Sequence, residues 1–319
     1  MLRSLACAAA LAVSLVAAAQ PYPSKPVRIF VTIGPGAAAD VLTRMVGEKL
    51  APRLGQPIVI ENRAGAGGNI AADAVAKSAP DGYALLMASS STHGANYSVY
   101  PSLPFDPVRD FAPIVLVASN PNVLVVPPSL GVNTLDELIA LAKRKPGELT
   151  YASGGTGTSM HISGEVLAML GKVKLQHIPF KSTPDAINAA LAGSVSMTFA
   201  SAPTVMSQVK AGRLKALGLT SEKPLSSLPE VTPLAAQGLS GFDVSAWFGL
   251  AAPAGTPEAI IQRLNAETLA VLAMPDVREK FASLGMEALG STPAEFGAFI
   301  RSEIKRLGEV VKASGARIQ

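Results

Sequence analysis

The sequence predicts an α/β protein with two lobes, each containing a mostly parallel sheet. Three observations predict this fold. Short β-rich segments alternate with segments of helical spacing, which is typical of βαβ units. Capping signals mark the starts of later helices. Two apolar stretches, residues 114–126 and 244–252, are suited to run as extended chain between the lobes.

The first part of the chain alternates strands and helices. Residues 27–31 are β-rich, and the residues Gly34-Pro35-Gly36 that follow predict a turn that ends the strand. After this turn the apolar spacing predicts a helix over 40–50. The elements that follow are a strand at 57–60, a helix at 70–77 and a buried strand at 84–87.

Two later helices carry a capping box, in which a threonine and a glutamate three residues later satisfy each other's free backbone N–H groups. The pairs are Thr134 with Glu137 and Thr292 with Glu295. Each pair predicts that a helix begins directly after its threonine.

The two apolar stretches set the predicted lobe boundaries. If both stretches cross between lobes, the first lobe consists of residues 20–120 and 245–319, and the second of residues 121–244. Each lobe is then long enough for a core of its own.

Residues 1–19 have the pattern of a cleavable signal peptide. Arg3 is followed by an apolar run and by the small residues Ala17-Ala18-Ala19, which a signal peptidase requires. We therefore expect export to the periplasm. The single cysteine, Cys7, lies in this segment, so the mature chain lacks thiols for disulfides, thiol catalysis or thiolate metal sites.

Composition narrows the class of protein. The chain has 319 residues, of which 49% are hydrophobic and 16% charged, which excludes a disordered chain. The formal net charge of +4 is scattered and aromatic residues make up only 5%, so neither a basic stripe nor a stacking platform predicts nucleic-acid binding. Small anions remain compatible ligands.

The usual motifs of catalysis and cofactor binding are missing from the sequence. It contains no phosphate loop, no G-x-S-x-G nucleophile elbow and no H-E-x-x-H pair. The glycines from Gly65 to Gly68 begin like a dinucleotide fingerprint, but Ile70 stands in place of the third glycine. We therefore expect a protein that is not an enzyme and has neither cofactor nor metal.

Three loops rich in glycine and hydroxyl groups follow predicted strands: residues 34–40, 89–93 and 151–158. Small residues let a ligand approach the backbone, and free N–H groups at a helix start attract anions. In open α/β sheets ligands bind outside the carboxyl ends of strands, where such loops lie. These loops predict a binding cleft between the lobes.

Several motifs follow one another along the chain and together resemble the Bug family, the solute-binding proteins of tripartite tricarboxylate transporters. They are YPSKPVR at 22–28, ENRAGAGGN at 61–69, APDGY at 79–83, YPSLPFDP at 100–107, AWFGL at 246–250 and PAGTP at 253–257. The resemblance covers essentially the whole mature chain.

The resemblance implies a two-lobed periplasmic-binding-protein fold that closes on a small carboxylate. It also implies a monomer that meets the transporter's membrane subunits transiently. The ligand would contact the following residues: Ile33, Gly36, Ala37, Ala38, Asp40, Ser89, Ser91, Thr92, His93, Ser153, Gly155, Thr156, Gly157, Thr158, Ala200 and Ser201.

Three positions depart from the family pattern. Ala37 replaces the second glycine of the first loop, Ile33 stands where an aromatic residue is common, and Ala200 stands where many members have aspartate. An alanine offers no partner to a ligand ammonium, so we expect a carboxylate without a free amine. Two alternatives stay open: a ligand-presenting sensor for a signalling receptor, and a hydrolase or lyase on a similar fold.

Overall fold

The computed structural model describes residues 22–222, 224–225 and 228–314. The predicted signal peptide, residues 1–19, lies outside them. Within the described part, no helix is both long enough and apolar enough to cross a membrane.

Strands and helices alternate along most of this part of the chain. The strands, in chain order, are β1 (Val27–Val31), β2 (Ile58–Asn62), β3 (Ala84–Ser89), β4 (Phe111–Val126), β5 (Thr150–Ser153), β6 (Gln176–Pro179), β7 (Met197–Ser201), β8 (Lys215–Leu219), β9 (Ser245–Pro253) and β10 (Glu287–Ala288). The α-helices are α1 (Ala38–Leu54), α2 (Asn69–Ala76), α3 (Asn96–Val99), α4 (Leu135–Arg144), α5 (Ser159–Gly171), α6 (Thr183–Leu191), α7 (Ala202–Lys210), α8 (Glu258–Leu272), α9 (Pro275–Ser283) and α10 (Pro293–Ser314).

The local signals in the sequence are confirmed. Helix α1 contains the predicted helix 40–50. The Thr134 hydroxyl accepts a hydrogen bond from the Glu137 N–H at 3.2 Å and begins α4. At the start of α10, the Thr292 N–H donates to the Glu295 carboxylate at 2.8 Å, while the Glu295 N–H donates to the Thr292 hydroxyl at 3.2 Å. The second pair is therefore a complete capping box.

The strands form one continuous sheet in the order β2-β1-β3-β9-β4-β7-β5-β6, with β10 and β8 also paired to β4. Strand β1 is parallel to β2 and β3, and β5 is parallel to β6 and β7. These parallel groups are the predicted βαβ units, one group in each lobe.

The prediction of mostly parallel sheets needs correction for the strands that run between these groups. Strand β4 is antiparallel to β7, β8, β9 and β10, and β9 is also antiparallel to β3. An apolar run predicts that a strand is buried but carries no information about its direction. Strand β4 runs from the first parallel group to the second and β9 runs back, so the two neighbouring strands are antiparallel.

Strand β4 changes its partner halfway along its length. Its first part pairs with β9 as far as Pro121 opposite Ser245, and its last part pairs with β7 from Asn122 opposite Ser201. Directly before β9, the Val244 N–H donates a hydrogen bond to the carbonyl of Thr220, which directly follows β8. Both apolar stretches thus run as extended chain, although the exact lobe boundaries stay predictions.

The two largest apolar cores lie on the two sides of this crossing, and the second also includes Ala95 and Val99 from the segment predicted as the first lobe. Leu42 and Leu85 belong to the first-lobe core, and Tyr151 belongs to the second. Leu307 and Val311 of α10 pack into the second-lobe core, although their segment was predicted as part of the first lobe. Burial of such large apolar side chains contributes about 1.5–3 kcal/mol each, so α10 contributes to the stability of this core.

Candidate ligand-binding cleft

A cavity of about 630 Å³ lies where the loops of the two lobes face each other across β4. This volume is in the range of about 300–1,000 Å³ that is usual for small-molecule sites. Nine of the predicted site residues line it: Ile33, Ala37, Ala38, Ser89, Ser91, Gly155, Thr156, Thr158 and Ser201. The structure therefore brings all three predicted loops, and the end of β7, to one cavity.

Seven predicted residues do not line this cavity: Gly36, Asp40, Thr92, His93, Ser153, Gly157 and Ala200. Each has a position in the fold that explains why. Most of them support the loops through contacts on the side away from the cavity. Ala200 lies fully buried within β7, where its backbone pairs with Val123. The neighbouring Ser201 faces the cavity instead, because successive strand residues point to opposite sides.

The first loop is held by the carboxylate of Asp40. It accepts hydrogen bonds from the Gly36 N–H at 2.9 Å, from Arg44 Nε at 3.0 Å and from Asn62 Nδ2 at 2.9 Å. Burial raises the pKa of Asp40, but the hydrogen bonds from Arg44, Gly36 and Asn62 outweigh burial and leave that pKa below its usual value. Asp40 is a charged carboxylate that shapes the loop.

The same loop tolerates Ala37 without strain. The left-handed conformation falls on Gly36, with φ +82°, whereas Ala37 is extended with φ −76°. A side chain at Ala37 therefore costs nothing in backbone conformation. The departure from the family pattern leaves this loop intact.

His93 lies beneath the second loop, fully buried against the ring of Phe111 at 4.6 Å between centroids. Its Nδ1 atom lies 3.0 Å from the Thr92 hydroxyl, and Thr92 is itself fully buried. Burial lowers the pKa of His93 to about 3. His93 is consequently a neutral packing residue.

Three helices begin at the cavity wall. Ala37, Thr158 and Ser201 are the N-cap residues of α1, α5 and α7, and all three line the cavity. Neither Ala37 nor Ser201 gives its helix a side-chain cap. Since a helix N-terminus carries a partial positive charge and free N–H groups, this wall favours anions.

The side chains at the cavity reinforce that preference. Among the described residues that line it, Lys181 is the only one with a charged side chain, and none is acidic. Burial raises the pKa of the Tyr100 hydroxyl, which keeps it protonated and able to donate. The cavity thus offers one cation, hydroxyl donors and helix N-termini to a negatively charged ligand.

The two lobes touch each other at one rim of the cavity. A Cβ atom placed on Gly67 would lie 3.1 Å from the Thr156 carbonyl oxygen and 3.1 Å from the Tyr100 hydroxyl. On the opposite side, a Cβ atom on Gly157 would collide with Asn96 Oδ1. The chain segments therefore pack closely here and leave no room for a Cβ atom on either glycine.

A stack of rings supports the third loop from below. His161 and His177 stack at 4.1 Å between centroids, and Tyr151 stacks on His177 at 4.9 Å. His177 Nε2 lies 2.6 Å from the hydroxyl of Ser153, which is fully buried, and Tyr151 donates to Glu165. Ser153 accordingly anchors the loop and does not face a ligand.

Within the described part of the chain, no three His, Cys, Asp or Glu side chains gather in a geometry that would hold a metal ion.

Sequence reasoning missed several residues that line the cavity. They include Asn120 and Asn122 of β4, Lys181 after β6, and the glycine-rich loop 64–68 after β2. The signal for the loop was present in its glycines, which entered the sequence analysis as part of a dinucleotide motif and of the family resemblance but not as a part of the site. For the two asparagines, the available signal was a pair of amides inside an otherwise apolar strand.

The hydroxyl of Thr158 is already used within the protein. It donates to the Gly155 carbonyl at 2.7 Å and accepts from the His161 N–H at 3.4 Å. We expect Thr158→Val to lower the free energy of unfolding by about 1 kcal/mol, the usual effect of losing an N-cap. Ligand affinity should change less than about threefold, because the hydroxyl proton is not free for a carboxylate.

Urea unfolding and titration calorimetry on the same samples measure both effects. Thr134→Val is the matched control, since Thr134 caps α4 outside the cavity. A large loss of affinity in Thr158→Val with unchanged stability would instead place this hydroxyl on the ligand.

The family model described as the tripartite tricarboxylate transporter family receptor, TctC, matches residues 42–316. Protein BugT of Bordetella pertussis is 37% identical over 302 residues, which cover 94% of this chain and 93% of BugT.

Solved structures agree with these sequence matches. The structure of R. palustris Rpa4515 with adipate has a TM-score of 0.88 at 32% identity, covering 92% of this chain and 98% of that one. MatC (Rpa3494) from Rhodopseudomonas palustris with bound malate has a TM-score of 0.85 at 32% identity, covering 91% and 100%. They confirm the predicted two-lobed periplasmic-binding-protein fold. With the family model matching most of its length, the chain belongs to the tripartite tricarboxylate transporter receptor family, which includes the Bug proteins it was predicted to resemble.

Proposed function

We propose that this protein is a periplasmic solute-binding receptor that captures a small carboxylate in the cavity between its lobes. The observation that carries the proposal is the chemistry of the cavity wall. Three helix N-termini and Lys181 face it, and none of the described residues that line it is acidic. A carboxylate finds donors and positive charge there, whereas an ammonium group finds no counter-ion.

The relatives support the same ligand class. Rpa4515 was solved with adipate and MatC with malate, and both are dicarboxylates. The ligand contacts would come from the nine predicted residues that line the cavity, Thr158 through atoms other than its hydroxyl proton, together with Lys181 and Tyr100. The residues that hold the loops from behind would act by positioning, without touching the ligand.

The proposal has a cellular part. Residues 1–19 would direct export and be removed, and lobe one (20–120 and 245–319) and lobe two (121–244) would close on the ligand as a monomer. The closed receptor would then deliver its ligand, chemically unchanged, to the membrane subunits of a tripartite tricarboxylate-type transporter. The family match supports this partner.

Titration calorimetry with succinate, adipate and aspartate tests the proposal. We expect a dicarboxylate to bind, and aspartate to bind more weakly than succinate, because its ammonium would be desolvated without an acidic partner. Lys181→Met should weaken dicarboxylate binding roughly tenfold, the usual loss for a hydrogen bond to a charged group.

Lys210→Met is the control for this variant. Lys210 is an exposed lysine at the end of α7 that does not line the cavity. If no carboxylate binds, or if aspartate binds tighter than succinate, the proposed ligand class is wrong.

A further inference from the structure

One polar side chain at the cavity is not explained by carboxylate binding. Asn120 lies on β4 at the crossing between the lobes and lines the cavity, and only 1% of it is exposed. Neither Nδ2 nor Oδ1 of Asn120 has a hydrogen-bond partner among the described residues. Most buried side-chain amides are hydrogen-bonded, so we expect the amide of Asn120 to bond to a group that enters the cavity.

The neighbours of Asn120 in the sheet leave its amide unpaired. Asn120 lies opposite Ala246 in the ladder between β4 and β9, and the next pair of that ladder is Pro121 with Ser245. Asn122 lies two residues further on and also lines the cavity, but its Nδ2 donates to the Ser159 hydroxyl at 3.1 Å. Of these two amides, that of Asn120 is the one left for a ligand.

The chemistry of an amide defines what would match it. Nδ2 needs an acceptor and Oδ1 needs a donor. A carboxylate only accepts and would face Oδ1 with like charge, and an ammonium only donates. A hydroxyl or a carboxamide does both.

We propose that Asn120 is a specificity-determining residue, which selects carboxylates that carry a second, neutral group able to donate and accept: a hydroxyl or a carboxamide. This inference rests on the proposed function, since Lys181 and the helix N-termini hold the carboxylate. Asn120 then separates substituted carboxylates from plain ones, because a plain ligand leaves its buried amide unpaired.

Matched pairs of ligands test this by titration calorimetry. The pairs are succinate with malate, glutarate with 3-hydroxyglutarate, and levulinate with succinamate. In the first two pairs the second member has an added hydroxyl, which donates and accepts; in the third, the carboxamide has the N–H donor that the ketone lacks. In the unmodified protein we expect the second member of at least one pair to bind roughly tenfold tighter or more.

The variants assign that preference to Asn120. Asn120→Leu keeps the side-chain size and removes both polar atoms, and Asn120→Ala serves if leucine perturbs folding. In either variant the tenfold preference should fall to near one. Asn188→Leu, at an exposed position on α6 away from the cavity, should keep the full preference.

The possible failures are distinguishable. If the ligands bind but no pair shows the preference, or if it persists in both Asn120 variants, the role of Asn120 is refuted. That is also the result expected if an ordered water satisfies the amide. If none of the six carboxylates binds, the proposed function itself fails.

Discussion

Replacing Gly157 with alanine is expected to weaken carboxylate binding roughly 10- to 100-fold, which corresponds to about 1.4–2.7 kcal/mol. Gly157 has φ +84°, a conformation that alanine adopts only with strain. A Cβ atom there would also collide with Asn96 Oδ1 and lie 3.7 Å from the Tyr100 ring. Since Asn96 and Tyr100 lie in the segment predicted as the first lobe and Gly157 in the segment predicted as the second, we expect the methyl group to hold the lobes apart.

Gly147→Ala separates the two effects. Gly147 also lies in the segment predicted as the second lobe and has φ +80°, but a Cβ atom there would have no heavy atom within 4 Å. It should lose stability from backbone strain while keeping its affinity. Small-angle scattering adds a structural measurement, because saturated Gly157→Ala should keep a larger radius of gyration than the saturated unmodified protein. Equal affinities for both variants would contradict this explanation.

The loops at the cavity were predictable because their signals are local. A strand followed by small residues and a helix start needs only a few consecutive positions, so the sequence pointed to the loops containing Ala37, Ser91 and Thr156, and all three loops line the cavity. The direction of each side chain within a loop was not predictable. The side chains of Asp40 and His93 point away from the cavity. Arg44 and Asn62 donate hydrogen bonds to Asp40, and the ring of Phe111 packs against His93.

The contributions of Asn120 and Lys181 could not be predicted from local signals. Both reach the cavity only because β4 crosses between the lobes and β6 lies at the far edge of the second-lobe group of strands. The direction of β4 and β9 escaped prediction for a related reason, since an apolar run looks the same in either orientation. Pairings between distant segments decide all three features.

The three histidines make a prediction about stability in acid. Burial lowers the pKa of His93 to about 3, burial and the neighbouring His177 lower the pKa of His161 to about 3, and burial lowers the pKa of His177 to about 4. In the unfolded chain each titrates near 6.5. The folded protein therefore binds fewer protons than the unfolded chain below pH 6.5.

The contribution of these neutral histidines to the free energy of unfolding is consequently fully present above about pH 6.5 and is lost as the pH falls towards 4. Each buried histidine contributes a slope of about 1.4 kcal/mol per pH unit once its unfolded form is protonated. His93 and His161 together should remove roughly 3 kcal/mol between pH 6.5 and pH 5, with a smaller addition from the partly exposed His177. Glu165, whose pKa burial raises, opposes this loss in part.

Urea unfolding between pH 7 and pH 5 measures the effect, and we expect the midpoint to fall while the m-value stays constant. His93→Gln should lower the slope of the free energy of unfolding against pH by the amount that one histidine contributes, because glutamine does not titrate. This holds whatever the substitution does to stability at pH 7. Glu148→Gln, a change at an exposed position away from the three histidines, should leave the dependence unchanged. A flat stability profile, or a slope that His93→Gln does not reduce, would show that His93 is protonated in the folded protein and that its buried position does not hold it neutral.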